Sequence, residues 1–338
     1  MNTNYLVEVL SEFDINVKYF KISVKKQLNR NYGLIYWFLC LFSVYSVLIN
    51  TFILILISDD DINSLKKYGS IGFKLGGKSS RLMLDISVDT FFCLISYLFW
   101  INFLDKMQWL LKMSSIYEEI RTKHFDKYLM NLAKVLSFYM KYPSIMIILL
   151  GDFICFTLFY NKWNQFVEYP IGFMAVIVSI QFAAKFSLPL VLRQFVIIIF
   201  FCRMHCFLFK TNDKNFSKLS KKYRKRNLKT YLLFHYKLCE SVEEFQTFLR
   251  PMFVLITTTF CAVFCYMIYF NLKNSENENN SVMFLLNVAA LIMLIFSLIL
   301  SGVIAMIDIE SKKGLHLIYG SALKLSNKEL IFKVVQLT

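Results

Sequence analysis

The sequence predicts an all-α fold, a polytopic helical membrane protein with six complete spans and the start of a seventh, and three observations predict it. Apolar residues make up 57% of the 338 and charged residues only 18%, where soluble chains carry about a quarter charged. Apolar stretches of about 20 residues, the length that crosses hydrocarbon as a helix, recur near 34–58, 86–105, 135–160, 171–202, 251–272 and 282–307. The basic residues between them also alternate in number. The N-terminal segment, the loop after the second span, the segment 203–250 and the C-terminal segment hold 28 Lys and Arg, against seven in 59–85, 161–170 and 273–281. The positive-inside rule then puts the N-terminus in the cytoplasm. The net charge of +15 is accounted for by basic loops facing anionic headgroups, so no nucleic-acid partner is expected.

Five regions follow in order: a cytoplasmic segment 1–33; spans one to four, 34–202; a basic and amphipathic cytoplasmic segment 203–250; spans five and six, 251–307; and a cytoplasmic segment 308–338. The first is polar and has no short apolar core with a small-residue cleavage site, and the run from Leu34 is too long for a signal peptide. The loop 59–85 contains "GFKLGGKS", Gly72–Ser79, which fits the phosphate-loop pattern at every fixed position. That pattern needs a strand before it and an amphipathic helix after it. Here "DDDINSLKKYGSI" lacks strand alternation, and a lipid span follows on the non-cytoplasmic side. The glycines are turn-formers, and no nucleotide is expected.

The second span is interrupted by Asp89, Ser96 and Asn102, and the fourth is long enough to project beyond the bilayer. Before the fifth span, Leu228, Tyr231, Leu232, His235, Leu238, Cys239, Val242, Phe245 and Leu249 recur at three- and four-residue steps. They form one face of a helix about 40 Å long, which calls for an intracellular bundle or a subunit interface. The sequon at Asn279 falls outside the cell and is a glycosylation candidate, whereas Asn215 falls inside. None of the eight cysteines lies in an external loop, so a disulfide framework is not expected.

Catalytic chemistry is hard to find, and neither an enzyme nor a cofactor is expected. "CRMHC" (Cys202, His205, Cys206) and "HYKLC" (His235, Cys239) have helical spacing but lack the paired spacing of structural zinc sites. No metal is expected. The charges within spans say more, because a charge in lipid is costly and faces protein or water. Asp89, Asp152 and Lys185 lie towards the outer half with Gln181 and the aromatics Phe92, Phe156, Tyr266 and Tyr269. Two readings stand: an outward-opening ligand pocket built from these eight residues, or an internal Asp–Lys pair that holds helices together beside an aromatic belt.

The stretch from His235 to Phe270, "HYKLCESVEEFQTFLRPMFVLITTTFCAVFCYMIYF", and the end "KKGLHLIYGSALKLSNKELIFKVVQLT" resemble insect gustatory receptors, seven-span chemoreceptors related to insect odorant receptors. His235 and Leu238 lead into the fifth span, and Leu315 and His316 follow the sixth, as in that family. Its signature, Thr-Tyr, five apolar residues and Gln-Phe, would begin where Thr338 stands. The resemblance implies a plasma-membrane, ligand-gated, non-selective cation channel subunit that detects a small-molecule tastant and assembles as a homo- or hetero-tetramer. Lys328–Thr338 would begin the seventh, pore-lining helix, and without that helix the chain alone is not expected to conduct. A G-protein-coupled-type receptor would reverse the basic asymmetry, and a transporter would call for internal repeats and broken helices.

Overall fold

The computed structural model describes residues 5–17, 20–22, 123–161, 170–218, 221–273 and 280–324, with isolated positions at 48, 52, 55–56, 93–95, 97, 116–118 and 167. Its long elements are all helices: α2 (Lys123–Asn161), α3 (Pro170–Phe182), α4 (Leu188–Lys218), α5 (Lys221–Lys273) and α6 (Asn280–Lys324), preceded by a short α1 (Tyr5–Leu10). The all-α expectation holds for the architecture; the one addition among the described residues is a short antiparallel pair, β1 (Ile15–Val17) and β2 (Phe20–Ile22), with Val17 opposite Phe20. Three-residue strands are too short to leave an alternating pattern that a sequence reading can detect.

Helix α4 is the hub. It packs against α2, α5 and α6, and Ile197, Ile198, Phe200, Phe201, Cys202 and Phe209 along it are buried. Two helices among the described residues, 124–157 within α2 and α4, are long and apolar enough to cross a membrane. They are exposed very differently. Of the most apolar stretch, 67% is buried in α4 but only 22% in α2. Phe138, Tyr142, Met146, Leu149 and Phe153 of α2 are exposed along one apolar face, the kind of surface that marks contact with a membrane or another chain. A bilayer solvates such a face without cost. The spans expected at 251–272 and 282–307 fall inside the long helices α5 and α6. Those at 34–58 and 86–105 lie outside the described residues except at isolated positions.

The fourth predicted span is not one α-helix. Between α3 and α4 the chain runs as a π-helix, Ala183–Ser187, a wider turn that leaves part of the usual ladder unmade. Pro189 follows in the first turn of α4, where its missing N–H removes no needed donor. The π segment meets α2 at Gly151, where a Cβ would sit 2.4 Å from Ala184 Cβ. Only the absent side chain permits that approach, as at small-residue contacts between membrane helices. Gly151→Ala is therefore expected to destabilise the protein by about 1–3 kcal/mol. The check is thermal melting in detergent, and Ala184→Gly in the same chain should restore most of the loss.

The amphipathic face expected on α5 is buried within the chain. Leu228, Tyr231, His235, Leu238, Val242, Phe245 and Leu249 all lie inside, and α5 packs on α4 and α6. The helix then continues through Pro251 to Lys273 rather than ending there.

Candidate functional site

The pair formed by Asp152 and Lys185 is the candidate site. Asp152 projects from α2 directly after the Gly151 contact, while Gln181 and Lys185, four residues apart, project from the end of α3 and from the π segment. Lys185 Nζ lies 3.1 Å from Asp152 Oδ1, and Gln181 Nε2 donates to the same oxygen at 3.0 Å. One carboxylate oxygen thus receives two donors, and the second stays open to further contact. Both charged side chains remain partly open, Lys185 at 34% and Asp152 at 48%. Gln181 Oε1, by contrast, is buried with no hydrogen-bond partner among the described residues. Cys155 one turn on points its Sγ at Ile177 O, 4.0 Å away, so α2 and α3 stay together along this face.

Charges within apolar helices are costly unless they face protein or water, and here each is met by an opposite charge. The arrangement sets a cation, an anion and a buried amide acceptor side by side. It contains no nucleophile–base geometry.

The other predicted site residues divide as follows. Phe156, one turn beyond Asp152, is exposed and stacks on Tyr160 with ring centroids 6.5 Å apart. Tyr269 is half-buried on α5, and α5 packs chiefly on α4 and α6 rather than on α2 or α3. The side chain of Tyr266 lies outside the described residues, as do Asp89, Phe92, Asn279 and the stretch 72–79. The eight-residue pocket thus reduces to a described nucleus of three, with Phe156 beside it.

No known family, curated protein or solved structure matches this chain.

The histidines raised as ligand candidates have other surroundings. His205 on α4 is buried; Nδ1 donates to Phe201 O at 2.8 Å, which leaves Nε2 to accept from Ser241 Oγ at 2.9 Å. It bridges α4 to α5. His235 is buried between Phe209 and Tyr231, and neither ring nitrogen has a hydrogen-bond partner among the described residues. Tyr231 O–H donates to Asp213 Oδ1 at 2.5 Å. Gly314 of α6 closes this cluster, since a Cβ there would lie 2.5 Å from His235 Cε1 and 3.2 Å from Asp213 Oδ1. Lys210 of α4 also reaches Glu310 of α6 at 3.6 Å. Among the described residues no three His, Cys, Asp or Glu side chains converge as a metal site.

Sequence reasoning missed Arg193 and the segment that meets it. Arg193 is fully buried in α4, and its Nε donates to Phe13 O at 3.0 Å. The segment expected to be a polar cytoplasmic tail instead buries Leu6, Val9, Leu10 and Phe13. Two signals were present in the sequence: an arginine within an apolar run, and apolar residues at three- and four-residue steps.

Burial drives the imidazolium of His235 down to about 4 from its usual 6.5. The unfolded chain therefore binds this proton more readily than the folded one, so acid favours unfolding. Stability is complete above about 6.5 and is lost as pH falls towards about 4. Melting scans from pH 7 to pH 5 should show the native protein losing Tm, by at least about 2 °C, and His235→Phe losing less.

Proposed function

We propose that this chain is a chemosensory membrane receptor of the insect gustatory-receptor type, a subunit of a ligand-gated cation channel with its amino terminus in the cytoplasm and a tastant site at its outer half. The observation that carries the reading is the partly exposed Asp152–Lys185 pair with Gln181, set in α2, the π segment and α3, where α2 carries an apolar outward face. Two helices long and apolar enough to cross a membrane support it, as does the basic asymmetry of the flanking segments. In this reading the ligand competes for the two charges. A carboxylate or phenolate partner would engage Lys185, an amine would engage Asp152, and either would loosen the salt link between α2 and the π segment.

The test uses cells that supply partner receptor subunits and a panel of acidic, basic and neutral tastants. Lys185→Met is expected to raise the half-maximal concentration of at least one responding ligand about tenfold or more, equivalent to losing one charge-assisted hydrogen bond, with surface expression kept. Unchanged responses across the panel at equal surface expression would remove the site.

A further inference from the structure

We propose that Lys134 and Lys141, on the exposed face of α2, bind anionic lipid headgroups of the cytoplasmic leaflet. The inference rests on α2 crossing a bilayer, as in the proposed function, but needs neither a tastant site nor a channel.

That face has two parts, which meet at residues 138–142. Above the junction Ile145, Met146, Leu149 and Phe153 are exposed. From Tyr142 to Tyr160 the helix carries one charged residue, Asp152, and Lys185 meets it. This stretch rises about 27 Å at 1.5 Å per residue, close to the roughly 30 Å of a hydrocarbon core. Tyrosines stand exposed at both ends, Tyr139 and Tyr142 below and Tyr160 above, where a ring with a polar tip suits a membrane surface. Below the junction the same face turns basic. Lys127, Lys134 and Lys141 are exposed, and steps of seven residues, close to two turns, stack them in one row. None of the three has an ion-pair partner among the described residues. No acidic residue of α2 lies between Asp126 and Asp152, and Asp126 already accepts from Tyr117 O–H.

Two further observations set the membrane surface at the junction. Pro143 lies inside α2 and cannot donate to the carbonyl of Tyr139, four residues back, which suits a level where water reaches the backbone. The N-terminal segment reaches up α2 to Ser137, which donates to Glu12 O at 2.7 Å, and its Glu8 and Ser11 are exposed, as groups in water are. Ser137 is buried, so the segment and its acids sit against the covered side of α2 and not over the lysine row.

Depth then ranks the lysines. Lys141 stands at the junction, Lys134 about 10 Å below it and Lys127 about 21 Å below it. Side chains lean towards a helix's N-terminus, here the cytoplasmic end, which carries the Lys141 ammonium into the headgroup layer. That layer is about 5–8 Å thick, and screening confines its attraction to about 8 Å beyond. Lys141 and Lys134 fall within this reach, and Lys127 falls outside it.

The test reads the acetylation of each lysine by a water-soluble amine reagent, resolved by mass spectrometry. The full chain is held in nanodiscs of phosphatidylcholine alone, or of phosphatidylcholine and phosphatidylglycerol in equal parts. The anionic lipid is expected to slow Lys141 and Lys134 about fivefold each, the protection that follows from about 1 kcal/mol per lysine, and to leave Lys127 within about twofold. Unchanged rates at Lys141 and Lys134, or equal slowing of all three, overturn the proposal. Inorganic phosphate added to the phosphatidylcholine discs is expected to leave the rates alone, and slowing by phosphate equal to that by the lipid would assign the row to a soluble anion instead. Native mass spectrometry of bound lipid gives the second readout. Lys134→Gln with Lys141→Gln should lose about tenfold or more of the preference for phosphatidylglycerol, while Lys127→Gln keeps it; equal preference in all three chains overturns the site. A chain that answers no tastant would give the same results.

Discussion

The near-contact of Gly151 with Ala184 is the constraint on which the upper half of the molecule depends. A backbone without a side chain lets α2 reach the π segment, and that reach puts Asp152 within 3.1 Å of Lys185. With a methyl group at Gly151 the helices must part by a few tenths of an ångström or more, and an ion pair weak enough to be worth about 0–1 kcal/mol cannot draw them back. Packing sets the electrostatics here, not the reverse. Below this contact α4 acts as the common wall, burying its apolar surface against α2, α5 and α6, while α2 keeps an apolar face outward.

The same logic separates two kinds of buried polar group along α4. His205 has both nitrogens engaged and ties α4 to α5, so it serves the fold. Arg193 donates instead to the main chain of the N-terminal segment at Phe13, whose apolar side chains share the core with α4. His235, closed in by Phe209, Tyr231 and Gly314, belongs to the first kind by position. It gains little from hydrogen bonding, and its neutrality follows from burial.

Much of this was legible in the amino-acid order, for identifiable reasons. Asp152, Gln181 and Lys185 stand out because charge and amide are conspicuous in apolar runs, and the structure brings all three together. The buried face of α5, from Leu228 to Leu249, was legible because a helix three turns or longer repeats its spacing often enough to be recognised. Other features were not. A π segment carries no residue signature, so Ala183–Ser187 read as continuous helix. The hairpin at Ile15–Val17 and Phe20–Ile22 has too few residues to alternate visibly. Leu6, Val9, Leu10 and Phe13 cover barely two turns, and the polar residues around them hid the pattern. Glycines were equally ambiguous: those of "GFKLGGKS" match a named motif yet lie outside the described residues, whereas Gly151 matches none and governs the site.

The account stands on α2 crossing a bilayer with the Asp152 end outward. Labelling intact cells with a membrane-impermeant maleimide, and mapping the labelled peptides by mass spectrometry, tests this directly on Tyr160→Cys, beyond Asp152 on α2, and Glu240→Cys on α5, both at exposed positions. The account predicts labelling of Tyr160→Cys from outside and of Glu240→Cys only after permeabilisation. The reverse pattern, or equal labelling of both in intact cells, would contradict it.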